Sequence, residues 1–522
     1  MRMSKQIRRG AWRWCADIPV RLSSQREQAS RPKRRRAALV LAASLCLSAI
    51  FFTDLTGLAQ LAPQSPATTA ASRNAALIAA TAEVLKETSE IRQLPILRPV
   101  ESSTQSRAEI ERMLIKNLDE ETTPAQIHAT EVTLKKLGLA PADFQYRALM
   151  LRLLTEQVAG YYDPKVQQFH LADWIDLDGQ KPVMAHELTH ALQDQHFNLR
   201  RFEHWPKGDS DAELAAHALI EGDATLAMTL YVTRNPLRAL AFLKSLGASG
   251  MPSDELDHAP RALRETLLFP YQEGILWTRN LYQRGGWNEV SEAFTTLPQS
   301  TEQIMHVEKY FAHEAPVKVA LPDITPLLNG RGRRSQVRSP RSEVSRFAAS
   351  ASLSLRSGRA AVRSVPSAVA GGFNHSVNAQ APRAAWKKLD SDVNGEWGLY
   401  LILDQFLKSP AESHRAAAGW GGDRYSIYEG PKGEVLYISL STWDTENDAR
   451  EFFEAYVRRT RVRYASPIPV EPTPNTEAQA LSKAFHTSQG TVSIERRGAR
   501  VLVLEGIPDQ MNSKSIAKSL WQ

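Results

Sequence analysis

Met184-Ala-His-Glu-Leu-Thr-His190 is the stretch on which the reading of this chain turns. Its core, His186-Glu187-Leu188-Thr189-His190, has the form H-E-x-x-H. On a helix, four residues is slightly more than one turn, so His186 and His190 project from the same face. Two imidazoles so placed can hold one Zn²⁺ with ordinary rotamers. Glu187 lies about 100° round the helix from His186 and about 60° from His190. It can then take a proton from a water at the metal without being a ligand itself. The helix is expected on independent grounds. Pro182 suits a first helical turn. Val183, Met184, Leu188, Ala191 and Leu192 supply an apolar stripe beside the histidines.

Catalytic zinc needs a third protein ligand and an open fourth position. The favoured ligand is Glu221, in Ala218-Leu-Ile-Glu-Gly-Asp-Ala-Thr225. A second helix is predicted to carry it. Ser210 and Glu213 have capping-box spacing, an apolar run Leu214, Ala218, Leu219, Leu226, Leu230 follows, and Pro236 ends it. Gly222 would let this helix approach the first one closely. Glu213, His217 and Glu221 share one slowly drifting row and Asp223 is nearby, so spacing alone leaves these alternatives open.

The combination of His186–His190 with a later Glu-Gly-x-Ala resembles a gluzincin, the class of zinc metallopeptidases whose third ligand is a glutamate on a following helix. More narrowly, the chain resembles a family of bacterial secreted or membrane-attached proteins. The matching segments are Glu156-Gln-Val-Ala-Gly-Tyr-Tyr-Asp-Pro164, His186-Glu-Leu-Thr-His-Ala-Leu-Gln-Asp-Gln195, Ala218–Ala224, Pro298-Gln-Ser-Thr-Glu-Gln-Ile-Met-His-Val-Glu-Lys-Tyr310 and Gly419-Trp-Gly-Gly-Asp-Arg-Tyr425. The resemblance implies His186, His190 and Glu221 as zinc ligands, Glu187 as general base, and a protein or peptide substrate. It also implies an edge strand just before the zinc helix that holds a peptide by backbone pairing. Gly160-Tyr-Tyr-Asp-Pro-Lys-Val-Gln-Gln-Phe-His-Leu-Ala-Asp173, with an Asp-Pro turn between aromatic and β-branched residues, reads as a hairpin in that place. A hairpin that only covers the core is the plainer reading.

A metallopeptidase also needs a donor for the oxyanion formed at the attacked carbonyl. His306, Tyr310, Tyr271 and His217 are candidates, and His306 is singled out as the catalytic one. Asp194, one turn beyond His190, is either a carboxylate orienting a ligand imidazole or a solvated one. His196 and His204 lie between the two metal helices.

At 522 residues the chain can hold two or three domains. Its net charge of +7 is misleading, because residues 1–36 carry twelve Lys and Arg against Asp17 and Glu27. The remainder is slightly acidic, so charge gives no reason to expect nucleic-acid binding. Residues 37–58 open with the uncharged run Ala37–Phe52 directly after Lys33-Arg-Arg-Arg36, the pattern of a signal peptide or an uncleaved signal anchor with the body outside the cytoplasm. This predicts a membrane-attached or secreted, periplasmic protein. The only cysteines are Cys15 and Cys46, so an exported body has no disulfide and rests on its core and metal.

The expected organisation is a spacer and helix over 59–92, a metallopeptidase domain over 93–328, a linker over 329–385 and a C-terminal domain over 386–522. The linker holds ten arginines and one acid, Glu343, among small residues, and reads as disordered. The expected fold class is α+β: a mainly helical zincin-like domain with a small edge hairpin, then a smaller α+β domain. Leu149, Leu151, Leu153, Leu154 and Val158 are expected to pack beneath the active site. In the C-terminal part, Asp444 is expected to cap a helix running to Arg459, and Trp420 and Asp423 to sit in a Gly-rich turn. A second reading is a non-catalytic envelope binding protein in which zinc is structural.

Overall fold

A computed structural model of the chain describes residues 70–157, 160–174, 177–202, 208–240, 254–330, 385–465, 467–470 and 480–521. The expected signal or anchor segment and residues 331–384 of the expected linker lie outside the described residues. The architecture is mixed α+β. The expectation of a membrane-spanning helix is corrected for the rest of the chain: among the described residues, no helix is long and apolar enough to cross a membrane.

The first half is largely helical. Its elements are α1 (Ala70–Arg92), β1 (Glu101–Gln105), α2 (Arg107–Glu121), α3 (Pro124–Leu137), α4 (Tyr146–Gln157), β2 (Gly160–Asp163), β3 (Gln168–Ala172), α5 (Leu177–Phe197), α6 (Ser210–Thr233) and α7 (Arg261–Ala293). The short helices α8 (Thr301–Met305) and α9 (Val307–Phe311) follow. Local chemistry sets several helix starts. Ser106 with Glu109 and Thr123 with Gln126 form reciprocal capping boxes at α2 and α3. The expected hairpin is present as β2 and β3, and β1 adds to it in parallel, in the order β1-β3-β2. Strand β2 is thus an edge.

Helix α5 carries the H-E-x-x-H stretch. Met184, Ala185, Leu188 and Leu192 bury its apolar stripe among Phe169 and Leu171 of β3, Leu77 and Val84 of α1, and Tyr231 and Val232 of α6. Helix α6 is buried on nearly all sides and packs its other face on Phe269, Trp277 and Leu281 of α7. Gly222 permits a close approach, but to α7 and not to α5. A Cβ at Gly222 would stand 2.2 Å from the Gly274 carbonyl oxygen, and one at Gly274 would stand 2.3 Å from that of Ala218. Leu149 and Leu153 of α4 pack with Leu256 and Ala259, not beneath α5. The Gly285-Gly286-Trp287 sequence lies inside α7, as a break at Gly286 (φ 66°, ψ −157°).

The second half holds β4 (Lys387–Asp392), α10 (Gly395–Leu407), α11 (Pro410–Ala417), β5 (Trp420–Glu429), β6 (Val435–Trp443), α12 (Glu446–Arg463), β7 (Ile468–Pro469), β8 (Ala480–Thr487), β9 (Gly490–Arg497), β10 (Arg500–Ile507) and α13 (Ser513–Leu520). Its strands form one antiparallel sheet in the order β4-β5-β6-β10-β9-β8-β7. Central β10 is apolar throughout Val501-Leu-Val-Leu504 because both faces are covered. Val501 and Val503 meet the helices α10 and α12, whereas Leu502 and Leu504 meet Ile516 and Leu520 of α13. Leu137, Leu139 and Ala262 from the first half join the former cluster, so the two halves share a core.

Two sequence expectations shift here. Helix α12 is capped by Thr445 with Asp448, and Asp444 instead pairs with Lys309. Trp420 and Asp423 lie in strand β5, not in a turn. Buried Asp423 accepts from Asn394 N (3.1 Å), Gly395 N (3.0 Å) and Trp420 Nε1 (3.0 Å). Its neighbour Arg424 donates to the Gly208 carbonyl just before α6 (2.5 Å). The glycine-rich motif therefore fastens the sheet to the start of the helix that carries Glu221.

Asp209, one residue before the expected Ser210, caps α6. Asp211 in its first turn is buried and accepts from Thr301 Oγ1 at 2.5 Å. Burial pushes Asp211 up to about 8, with the bonds from Thr301 opposing and the charge of Asp423 adding. Burial likewise pushes Asp423 up to about 6. Both folded values exceed the unfolded value of about 3.9. Their contribution to stability is therefore complete below about pH 4 and is lost as pH rises through 6 and 8. Asp211→Asn can still accept from Thr301 and has no proton to lose. Its thermal midpoint is expected to exceed that of the wild type at pH 9 by at least about 2 °C, and to converge with it only as pH falls to about 4. Parallel melting curves across that range would show that Asp211 does not titrate there.

Candidate metal centre

His186 and His190 lie on one face of α5, and Glu221 comes to meet them from α6. The His186 and His190 Nε2 atoms are 3.1 Å apart. A Glu221 carboxylate oxygen lies 3.1 Å from His186 Nε2 and 3.5 Å from His190 Nε2. Tetrahedral zinc with ligand bonds near 2.05 Å requires donor atoms about 3.3 Å apart. The three donors meet that requirement with side chains in place. Their chemistry, two imidazoles and a carboxylate, is also what zinc takes. Of the four acids and histidines left open on α6, Glu221 alone joins the pair. His217 is exposed, and buried Asp223 is engaged with Arg92.

The electrostatics follow from crowding. Burial would raise the Glu221 carboxyl, but His190 and His186 outweigh it and hold Glu221 well below the usual carboxylate range. Burial would lower His190, but the charge of Glu221 outweighs it and brings the ring up to about 9. Glu187 is raised, by burial first, with the two imidazoles opposing. Its Oε2 accepts from the backbone N of Tyr162 at 3.1 Å, so edge strand β2 runs beside this carboxylate.

Tyr271 of α7 completes the group. Its ring is stacked near that of His186, with centroids 6.2 Å apart. The charge of Glu221, burial, the charge of Glu187 and a hydrogen bond to Glu221 all push its phenol well up. Among the four oxyanion candidates it is the one beside His186 and Glu221. The structure does not bring His306 there: its Nε2 lies 2.9 Å from the buried Glu396 carboxylate, in the joint with the second half. Tyr310 donates to the Thr296 carbonyl at 2.8 Å.

The remaining acids and histidines have other partners. Asp194 neither orients a ligand nor faces solvent. It is buried, and accepts from Tyr162 Oη (2.9 Å), Arg98 Nη2 (3.1 Å) and Leu199 N (3.0 Å). His196 bonds the Pro95 carbonyl at 2.7 Å, and His204 lies outside the described residues. The side chain that meets His190 is Gln193, whose Oε1 is 2.8 Å from His190 Nδ1. Its spacing of three residues from His190 was a usable sign, since i and i+3 share a helix face. Nothing local points to Arg92, which pairs with Asp223 across 131 residues. A second acidic group, Glu302, Glu314 and Asp444, already surrounds the Lys309 ammonium at 2.6–2.7 Å.

A family model described as a domain of unknown function, DUF8575, matches residues 383–516. That stretch runs from just before β4 into α13 and contains none of the metal-centre residues. No curated protein and no solved structure matches the chain.

Proposed function

We propose that this chain is a zinc-dependent metallopeptidase of the gluzincin type, with a zincin-like fold around α5 and α6. The observation that carries the reading is the convergence of His186, His190 and Glu221 at zinc-like separations, with Glu187 beside them. Zinc bound there would supply Lewis-acid chemistry, polarising a scissile carbonyl and making water more acidic. Glu187 takes the proton from the attacking water and then delivers it to the leaving amine. Its raised pKa suits a group that must both accept and return a proton. Tyr271, kept as a neutral phenol by Glu221 and Glu187, is placed to donate to the oxyanion. This role replaces the one expected of His306.

Peptide as the substrate class is supported by β2. It is an edge strand, and the outward Tyr162 N–H sits against Glu187, so a chain paired along β2 would pass the base. A purely structural zinc site takes four protein ligands. Among the described residues three donors gather here, which favours the enzyme reading.

Metal removal tests the proposal. The full chain is expected to cleave an unfolded protein substrate. A chelator should suppress cleavage to background, and stoichiometric zinc should restore it. Cleavage that survives exhaustive chelation, with zinc gone by elemental analysis, would exclude a zinc peptidase.

A further inference from the structure

Behind His190 runs a fully buried polar chain that touches no proposed ligand other than His190. Gln193, Asp223 and Arg92 are each 0% exposed. Gln193 Oε1 faces His190 Nδ1 at 2.8 Å. Gln193 Nε2 donates to the Ile220 carbonyl (3.0 Å) and to Asp223 Oδ2 (2.9 Å). Asp223 Oδ1 accepts from Arg92 Nε at 2.5 Å, and Arg92 Nη1 donates to Ser291 Oγ at 3.2 Å. The Arg92 guanidinium also lies 4.5 Å from the Trp287 ring centroid.

Donor and acceptor counting along this chain has one solution. A backbone carbonyl and a carboxylate only accept, so both amide hydrogens of Gln193 are committed to Ile220 and Asp223. The amide oxygen must then face His190, and an oxygen can only accept. Nδ1 of His190 is therefore the protonated nitrogen, and Nε2, which points at His186 and Glu221, is the one whose lone pair can serve a metal. Asp223 is essential to this logic, and Arg92 supplies the opposite charge that a buried carboxylate requires.

We propose that Gln193, Asp223 and Arg92 are positioning residues that hold His190 in its metal-binding orientation, and that they tie metal retention to α1, whose last residue is Arg92. This rests on the zinc reading above and deepens it. The chain brings in α1, which does not otherwise reach the ligands, and joins it with α6 and α7 in bracing one imidazole of α5. It also assigns a role to the Gln in His-Ala-Leu-Gln193 and the Asp in Glu-Gly-Asp223, which the metal ligands leave unexplained.

Zinc affinity, measured on the full chain by competition with a chromophoric chelator, tests the proposal without reference to hydrolysis. Gln193→Met is close in volume, removes the acceptor and leaves Asp223 paired with Arg92. Its zinc affinity is expected to fall about 10–100-fold, the usual effect of losing a partner of a ligating imidazole. Asp223→Asn faces two donors, Arg92 and Gln193, with one acceptor, and is expected to weaken zinc in the same direction. Asp194→Asn is the control. It perturbs a buried carboxylate one residue further along α5, so it should lower the metal-free melting temperature while keeping zinc affinity within about threefold, well below the effect expected of an imidazole partner. Equal affinity in wild type, Gln193→Met and Asp223→Asn would overturn the positioning role and leave the zinc reading intact. Equal weakening in Asp194→Asn and Gln193→Met would show a general loosening of α5 and would likewise overturn it. A folded wild type that retains no zinc would defeat both readings together.

Discussion

Glu187→Gln is expected to retain zinc at the wild-type stoichiometry and to lose peptide hydrolysis by about 10²–10⁴-fold, the range for removing a general acid–base. The substitution is nearly isosteric. Its amide oxygen can still accept from Tyr162 N, so the contact between α5 and β2 is kept. What disappears is the ability to take a proton. Glu187 is not among the three clustered donors, so the metal has no reason to leave. Metal content by elemental analysis and turnover of a quenched fluorescent peptide, on one preparation, separate the two effects. Turnover within about tenfold of wild type would remove Glu187 from its assigned role.

Glu221→Ala is expected to act on the metal itself. It removes the one anionic donor and leaves two neutral imidazoles, so zinc retention should fall by more than the 10–100-fold typical of losing a supporting partner. In the metal-free chain, the charge of Glu221 also raises His190 against its burial, and loss of Glu221 leaves that ring without its counter-charge. Equilibrium dialysis against a zinc buffer reads the effect directly. Full retention by the alanine variant would pass the third-ligand role to another residue. The described structure offers none of the earlier alternatives, since His217 is exposed and Asp223 is committed to Arg92 and Gln193.

The parts of the site legible in the sequence are those with a local period. His186 and His190 are four apart and Gln193 three further on, so their common face follows from 3.6 residues per turn. The hairpin over 160–172 was legible from its turn and aromatic pattern, and α6 from its apolar repeat. Where several residues satisfied the same local rule, sequence could not choose. Ser210 and Asp209 both suit a helix cap, and the structure uses Asp209, whose carboxylate reaches Ala212 N. Gly222 signalled a close approach without saying to which helix. His306 lay in a suggestive motif, yet Glu396, 90 residues later, claims its ring.

The sequence by itself determined the helical face that presents two imidazoles and Glu187, and the edge hairpin before it. Each depends on residues within a few turns or one hairpin of each other. Tertiary structure selected Glu221, already favoured in the sequence, from the alternatives that spacing left open, and it alone decided that Tyr271 stands beside the histidines and that Arg92 reaches His190 through Asp223 and Gln193. Those choices are made by packing, chiefly the glycine contact that seats α7 on α6 and the shared core that sets α1 against α5. Contacts across many tens of residues leave no periodic mark on the chain. They exist only because burial of apolar faces brings those helices together, after which the buried polar groups must find one another.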